Sequence, residues 1–238
     1  NGGQPSNYNA GFAASKGEII CFLDSDDLFV ADKLEKVVNV FKSSEEIGWC
    51  FHSLKLIDVN GNTLTKTTTR NYQSRKYDLR ARLKAGKIPP SLPSSSALCF
   101  KRSLLEKILP MPTNKLIPAS DFYLKYIAVA LSIGFILGED LILQKIHDNN
   151  MATLRKDKLH MKAREQLFTG YWIRQEFPYL RNFADKLIAV GTGFNWCAGN
   201  NDFENSKIIN SYLSSISFLE RSKINFIALY YYLKKIKY

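Results

Sequence analysis

Apolar and polar positions alternate with two different periods along the chain, which predicts a mixture of strands and helices. Residues 19–23 form an unbroken apolar run with the length and composition of a strand buried on both faces, as in a parallel sheet. Residues 32–44 instead place apolar side chains at the i, i+3, i+4 and i+7 spacing of an amphipathic helix. The same patterns predict strands at 47–59, 63–69, 97–100 and, as two short pieces, within 134–143, and helices at 12–16, 77–85, 103–109 and 118–132.

The last third of the chain has a different pattern, in which helical spacing dominates. We expect helices at 158–175, 179–190, 203–218 and 225–237. The chain is therefore predicted to hold an α/β core over residues 1–150 and a helical appendage over residues 151–238.

Three carboxylates directly follow the first apolar run. Asp24, Asp26 and Asp27 would lie at the carboxyl end of this strand, where parallel sheets bind ligands. Charges this close repel one another unless a cation shares the site, and hard oxygen ligands suit Mg²⁺ or Mn²⁺. A helix cap is the other interpretation, because helix N-termini also favour Asp and Ser, although three acids are more than a cap needs.

The segment before the acids is rich in Gly and Asn, which permits close approach of backbone N–H groups to an anion. Asn-Gly-Gly-Gln at 1–4, Asn-Ala-Gly-Phe at 9–12 and Ser-Lys-Gly-Glu-Ile-Ile-Cys-Phe-Leu-Asp-Ser-Asp-Asp at 15–27 together resemble the sugar-nucleotide-binding core of family 2 glycosyltransferases. The resemblance implies the GT-A fold, which is a Rossmann-like, mostly parallel sheet flanked by helices.

By this resemblance, Asp24 and Asp26 form the family's DxD motif. Asp24 would contact the ribose or the donor sugar, Asp26 would coordinate Mn²⁺ or Mg²⁺ with Asp24 beside it, and Asn9 and Gly11 would lie in the donor site. Tyr8 stands where family members often carry Arg. The family's first strand, helix and second strand precede the Asn-Gly-Gly segment, so the resemblance implies an N-terminally truncated chain.

Two later segments resemble further parts of the donor site. The Pro- and Ser-rich residues 88–96 look like the family's loop beneath the donor sugar, which assigns Ser95 and Ser96 to donor binding. Residues 144–150 look like the family's Tyr-Arg-x-His-x-x-Asn ending, which implies that His147 contacts the diphosphate or completes the metal shell. A purely structural histidine is the alternative for His147.

A Ser-Asp pair opens the apolar helix predicted at 118–132. On structural grounds alone, Asp121 caps this helix and is favoured by its dipole. Inverting members of the family carry their catalytic base in such a pair at this distance from the DxD acids. The resemblance therefore implies that Asp121 takes a proton from the acceptor hydroxyl as that oxygen attacks the anomeric carbon.

Positive charge is concentrated in the predicted appendage. The 238 residues carry a net charge of +11, of which residues 151–238 contribute +7, with 14 Lys and Arg against 7 Asp and Glu. Such an excess is typical of binding to anionic lipid headgroups or a diphosphate-linked acceptor, and also of a solvated surface. The last helix ends in aromatic residues and lysines, so it either lies in a membrane interface or packs on the core. No zinc-ligand spacing or RNA-binding aromatic signature accompanies the charge, which argues against nucleic acid.

The four cysteines have no CxxC spacing, and no apolar run is long enough to predict a transmembrane helix. These features favour a cytoplasmic protein with reduced thiols that works at the inner face of the membrane if the appendage binds lipid. The combined prediction is a glycosyltransferase of polysaccharide biosynthesis that moves a sugar from a nucleotide-diphosphate donor to a saccharide or lipid-linked hydroxyl acceptor, with inversion. The alternative is a degenerate or truncated member that binds sugar or a partner without activity.

Overall fold

In a computed structural model, the chain is described over residues 3–64, 72–113, 121–147, 150, 158–199 and 202–234. Within these ranges it forms one mixed sheet with helices on both faces, followed by a group of packed helices. The strands are β1 (Ile19–Cys21), β2 (Leu28–Phe29), β3 (Ile47–Ile57), β4 (Arg75–Tyr77), β5 (Leu98–Lys101) and β6 (Ile133–Lys145). The helices are α1 (Gly3–Ala14), α2 (Lys33–Ser43), α3 (Arg80–Lys84), α4 (Arg102–Leu105), α5 (Asp121–Leu131), α6 (Lys158–Glu176), α7 (Arg181–Cys197), α8 (Phe203–Ser214) and α9 (Phe218–Leu233).

The sheet has the strand order β1-β5-β3-β6-β2, and β4 also pairs with β6. Strands β3 and β6 run parallel, whereas β1 with β5, β3 with β5, β2 with β6 and β4 with β6 pair antiparallel. The predicted α/β class with flanking helices and a helical C-terminal part is confirmed, but the described sheet is mixed rather than mostly parallel. Hydrophobic periodicity reports how deeply a strand is buried and carries no information on the direction of its neighbour.

The two faces of the sheet pack against different helices. Trp49 and Phe51 of β3 point to the face that α5 covers, and their ring centroids lie 4.5 Å apart. Cys50, between them, points to the opposite face and packs with Val37 and Phe41 of the amphipathic helix α2. A slip of β3 by one residue would exchange these faces, so the apolar pattern fixes its register.

The Gly- and Asn-rich N-terminal segment departs most from the predicted elements. A helix was predicted only at 12–16, but α1 already begins at Gly3. Pro5 and Tyr8 are buried on its inner side. Tertiary packing therefore overrides the low helix propensity of Gly and Asn. The helix therefore includes the Gly- and Asn-rich residues before position 12, for which no helix was predicted.

A single strand replaces the two short strands predicted within 134–143. Strand β6 has 13 residues, and Gly138 lets it pass close to another segment, since a Cβ there would lie 2.2 Å from the Tyr72 carbonyl oxygen. The chain reverses direction between the strands predicted at 47–59 and 63–69, because Ile57 and Thr63 form an antiparallel bridge. Most of the strand predicted at 63–69 lies outside the described residues.

The C-terminal helices pack on the sheet domain and on one another. Phe168 and Trp172 of α6 and Phe183 of α7 belong to the same apolar cluster as α5 and the sheet. Helix α9 approaches α7 closely, since a Cβ on Gly193 would lie 2.9 Å from the Ala228 carbonyl oxygen. No helix in the described ranges is long and apolar enough to cross a membrane.

Candidate active site

The three acids after β1 point in different directions, and each has its own partners. The carboxylate of Asp24 accepts a hydrogen bond from the Ser95 hydroxyl, and its backbone N–H donates to Ser96 Oγ at 3.0 Å. Burial raises the pKa of Asp24; the Ser95 hydrogen bond opposes this shift, and the charges of Asp121 and Asp26 add to it. The loop that carries Asp24, Asp26 and Asp27 is called the acid loop below. Asp24 lies where this loop approaches Ser95 and the start of α5.

Asp27 is turned into the protein and holds the loop. Its two carboxylate oxygens accept from the Ser96 hydroxyl at 2.6 Å and from the Lys145 backbone N–H at 3.1 Å. Ser96 has no exposed surface, and its hydroxyl also accepts a hydrogen bond from the Asp24 backbone N–H. The structure thus uses Ser96, a predicted donor-binding residue, to tie the acid loop to the loop before β5.

Asp26 faces the segment that follows β6. Its Oδ2 atom lies 3.0 Å from His147 Nε2 and accepts a hydrogen bond of 3.2 Å from the Asn150 side-chain amide. The Asn150 side chain in turn accepts from the His147 backbone N–H at 2.6 Å. The structure therefore brings His147 and Asp26 together, as expected, on the half-exposed side of the loop.

Asp121 is the first residue of α5, and the Ser that precedes it lies outside the described residues. The Asp121 carboxylate accepts a 2.8 Å hydrogen bond from the ammonium group of Lys125, one turn later, and both side chains are buried. Lys125 also donates to the Pro93 carbonyl at 3.3 Å and lies 4.1 Å from the centre of the Phe122 ring. Carboxylate and cation compensate each other where neither charge is well solvated.

Tyr8 completes this group from the side of α1. Its side chain is only 6% exposed, and its ring lies against Phe22, with 4.7 Å between ring centroids. Burial raises the pKa of the Tyr8 hydroxyl well above its usual value, and the charges of Asp121 and Asp24 raise it further. Apart from the departure from the family's Arg, no sequence pattern indicated this placement.

Asn9 and Gly11, both predicted to bind the donor, have other environments. The Asn9 side chain donates to the Met111 carbonyl at 2.8 Å and accepts from the Met111 backbone N–H at 2.9 Å. Gly11 lies in an exposed part of α1, where an added Cβ would meet no heavy atom within 4 Å. Asn9 thus fastens α1 to the segment after α4, and the space around Gly11 does not require a glycine.

Two buried ionisable residues near the site were not predicted from the sequence. Lys33 on α2 has no exposed surface, donates to the Ser96 carbonyl at 2.9 Å and lies 3.5 Å from the centre of the Phe29 ring. Glu165 on α6 is also buried. Burial lowers the pKa of Lys33 and raises that of Glu165 to about 8. Lys33 precedes Val37 by four residues on the apolar face of α2, a signal that the sequence already contained.

Asp26 and His147 supply an oxygen and a nitrogen that a divalent cation could share. In the described part of the chain, no three His, Cys, Asp or Glu side chains meet in a metal-binding group. Mg²⁺ and related cations are often held by one or two protein ligands, with substrate phosphates and water completing the shell. The donor set fits such a shared cation. It does not fit a closed cage of three protein ligands.

Comparison with known proteins gives a family match over the first part of the chain. The model described as Glycosyl transferase family 2 matches residues 1–109. The matched range contains the acid loop and the two serines, but it ends before Asp121 and His147. An Uncharacterized glycosyltransferase of Nostoc sp. (strain PCC 7120) is 30% identical over 194 residues, which are 81% of this chain and 58% of that protein.

A second relative is an Uncharacterized glycosyltransferase of Methanocaldococcus jannaschii, 26% identical over 163 residues, which are 66% of this chain and 53% of that protein. The chain thus spans about half the length of the curated relatives it matches. Among solved structures, S. aureus TarS 1–349 in complex with UDP-GlcNAc matches with a TM-score of 0.58 and 12% identity, covering 97% of this chain and 70% of that one. At this identity the match establishes a common GT-A fold alone.

Proposed function

Because this chain belongs to glycosyl transferase family 2, we propose that it transfers a sugar from a nucleotide-diphosphate donor to a hydroxyl group of an acceptor, with inversion at the anomeric carbon. The observation that carries the proposal is the arrangement of the acids after β1, in which Asp24 accepts a hydrogen bond from Ser95 and Asp26 lies 3.0 Å from His147 Nε2. Asp121 at the start of α5 is close enough for its charge to raise the pKa of the buried Asp24. Carboxylates gathered in this way suit a site that binds a polyhydroxylated, cation-associated substrate.

On the donor side, Asp24 would accept hydrogen bonds from a ribose or sugar hydroxyl, with the Ser95 hydroxyl holding its carboxylate in place. Ser96 and Asn9 support the donor site indirectly, through the acid loop and through α1, and Gly11 lies on the same helix as Asn9. The nucleotide sugar in the TarS complex supports this class of donor by analogy of fold.

Asp26 and His147, with Asp24 beside them, would hold Mn²⁺ or Mg²⁺. Such a cation, when bound, supplies positive charge that stabilises the departing diphosphate. His147 is alternatively proposed to contact the diphosphate, and the Asn150 side chain, which accepts from the His147 backbone N–H, supports its position.

Asp121 is the proposed general base. Its carboxylate accepts the proton of the acceptor hydroxyl while that oxygen forms a bond to the anomeric carbon, and the bond from this carbon to the diphosphate oxygen breaks on the opposite face. The position at the start of α5 and the ion pair with Lys125 hold the carboxylate rigidly. The proton then passes to solvent.

The acceptor side is proposed to lie toward the helical appendage, residues 151–238, and to receive a saccharide or lipid-linked hydroxyl in cytoplasmic polysaccharide biosynthesis. Helix α9 turns an apolar face to solvent, formed by Phe218, Leu219, Phe226, Leu229, Tyr230 and Leu233. We call these six residues the α9 face. Lysines follow it at the end of the chain, so the α9 face is suited to the surface of an anionic membrane.

A family member that binds sugar without catalysis is the second candidate, and the Asp121–Lys125 ion pair favours it, since the carboxylate of the proposed base already has a buried partner in the protein. One assay separates the two. The full-length protein is incubated with Mn²⁺ and a panel of UDP-, GDP- and dTDP-linked hexoses. Release of nucleoside diphosphate is expected for a transferase, whereas binding without release identifies the non-catalytic module.

A further inference from the structure

The Tyr8 hydroxyl is a buried polar group beside Asp24 and Asp121. Among the described residues, its oxygen has no hydrogen-bond partner of normal geometry, and the side chain is only 6% exposed. A side-chain contact with Ser95 lowers the pKa of Tyr8 against the larger effect of burial, but the Ser95 hydroxyl gives its own proton to Asp24. Buried hydroxyls are nearly always hydrogen-bonded, and one that is not costs stability. A ligand is a direct explanation for such a group.

The position of this hydroxyl is fixed relative to the acid loop. The Tyr8 ring packs on Phe22, two residues before Asp24, and the paired hydrogen bonds between Asn9 and the Met111 backbone anchor the same turn of α1. The hydroxyl therefore does not need to move far, or to order a flexible chain, in order to bind a ligand. Such preorganisation is typical of binding groups.

The charges around Tyr8 indicate which part of a ligand it contacts. The charges of Asp121, the proposed base, and of Asp24, the proposed sugar contact, raise the pKa of its hydroxyl. Asp26, where a diphosphate is expected, instead contacts His147 and Asn150. The space next to Tyr8 thus corresponds to the transferred sugar, between the base and Asp24.

We propose that the Tyr8 hydroxyl donates a hydrogen bond to an oxygen of the hexose of the nucleotide-sugar donor, and so contributes to recognition of the sugar rather than of the nucleotide. This inference rests on the proposed function. It assigns a task to a residue that departs from the family's usual pattern. Acceptor-only carboxylates on both sides can receive protons from sugar hydroxyls but cannot donate to a sugar oxygen, and Tyr8 supplies that donor.

The test is Tyr8→Phe in the full-length protein, with Tyr212→Phe as the matched control. Tyr212 is an equally buried tyrosine, but its hydroxyl donates to Asp185 at 2.6 Å in the helical appendage. Calorimetry in Mn²⁺ gives the affinity of each variant for a UDP-, GDP- or dTDP-linked hexose and for the corresponding nucleoside diphosphate without sugar. Thermal unfolding gives the stability of each variant.

For Tyr8→Phe we expect affinity for the nucleotide sugar to fall by up to about tenfold, the size of one lost hydrogen bond, with unchanged affinity for the nucleoside diphosphate. Its Tm should stay the same or rise, because an unpartnered buried hydroxyl is removed. Tyr212→Phe should lower Tm and change neither affinity.

Two results would overturn the inference while the proposed function stands. One is equal nucleotide-sugar affinity in Tyr8→Phe and the parent protein. The other is an equal loss for nucleotide sugar and nucleoside diphosphate, which would move the Tyr8 contact to the nucleotide. Failure of the parent protein to bind any nucleotide sugar in the panel would instead overturn the proposed function, and the sugar contact with it.

Discussion

The ammonium group of Lys125 donates a 2.8 Å hydrogen bond to the carboxylate of Asp121, one turn earlier on α5, in surroundings that bury both side chains. Removing one member of a buried ion pair leaves the other charge without compensation, which is far more costly than removing both. The proposed general base is thus also a structural partner. An experiment on Asp121 has to separate these two roles.

We expect Asp121→Asn to lower turnover by about 10²- to 10⁴-fold, the usual contribution of a general base, with little change in donor affinity. The variant should also be less stable, because Asn cannot neutralise Lys125. Turnover is therefore expressed per folded molecule, from an active fraction measured by denaturant unfolding.

The double variant Asp121→Asn/Lys125→Met is the matched control, because it removes both charges. It should recover much of the lost stability but none of the turnover. Normal turnover per folded molecule in Asp121→Asn would show that Asp121 is only the partner of Lys125 and that the base lies elsewhere.

A second prediction concerns pH and Glu165. Burial raises the pKa of Glu165 to about 8, helped by the Asp121 charge and opposed by Lys125 and Lys162, against an ordinary value of 4.5. Between these two values the folded protein binds a proton at Glu165 that the unfolded chain has lost. The contribution of this proton to the free energy of unfolding is complete below pH 4.5 and is lost as pH rises through about 8.

The free energy of unfolding should therefore fall across this window, with a slope of at most about 1.4 kcal/mol per pH unit from this group. Glu165→Gln has no proton to lose, so its slope over the same window should be shallower. Urea unfolding of both proteins at several pH values measures the difference. Parallel pH profiles would mean that Glu165 is ionised in the folded protein.

A third prediction concerns the α9 face. Deletion of the last helix would also remove Ile224 and Ala228, which are buried against the rest of the appendage, so substitutions on the exposed side are the cleaner test. We expect Phe226→Ser with Leu233→Ser to weaken binding to vesicles that contain phosphatidylglycerol, because apolar insertion is lost while folding is retained.

Leu34→Ser is the control for this substitution, since Leu34 is another exposed apolar residue, on α2. Vesicle sedimentation and circular dichroism together give binding and folding. If the double α9 variant binds these vesicles as well as the parent protein does, the α9 face does not contact membranes.

The local parts of this site could be predicted from the sequence, because they depend on neighbours in the chain. Asp24 and Asp26 follow the apolar run at 19–23, of which the first three residues form β1, and Asp121 begins the helix whose apolar pattern extends to about residue 131. In both cases the position of the carboxylate follows from the element beside it. The Asp121–Lys125 pair could also have been predicted from the sequence, since the two residues have i, i+4 spacing on a helix.

Contacts between distant segments could not be predicted in this way. Asn9 was assigned to the donor, but its partner is the Met111 backbone, 102 residues away, which no local pattern indicates. The same limit explains why α1 was missed, since buried Pro5 and Tyr8 stabilise a helix that Gly and Asn alone would disfavour. In the sequence, Tyr8 was distinguished only by standing where family members often carry Arg.

We propose that the acid loop binds a nucleotide sugar through a divalent cation and that the protein transfers the sugar. The most direct measurement is the rate of nucleoside diphosphate release from the UDP-, GDP- and dTDP-hexose panel by the full-length protein, in Mn²⁺ and in EDTA. Asp26→Ala and the exposed control Asp140→Ala are compared in parallel. We predict release from at least one donor in Mn²⁺, its loss in EDTA and in Asp26→Ala, and its retention in Asp140→Ala. Equal rates in EDTA and Mn²⁺, or an undiminished rate in Asp26→Ala, would contradict the account.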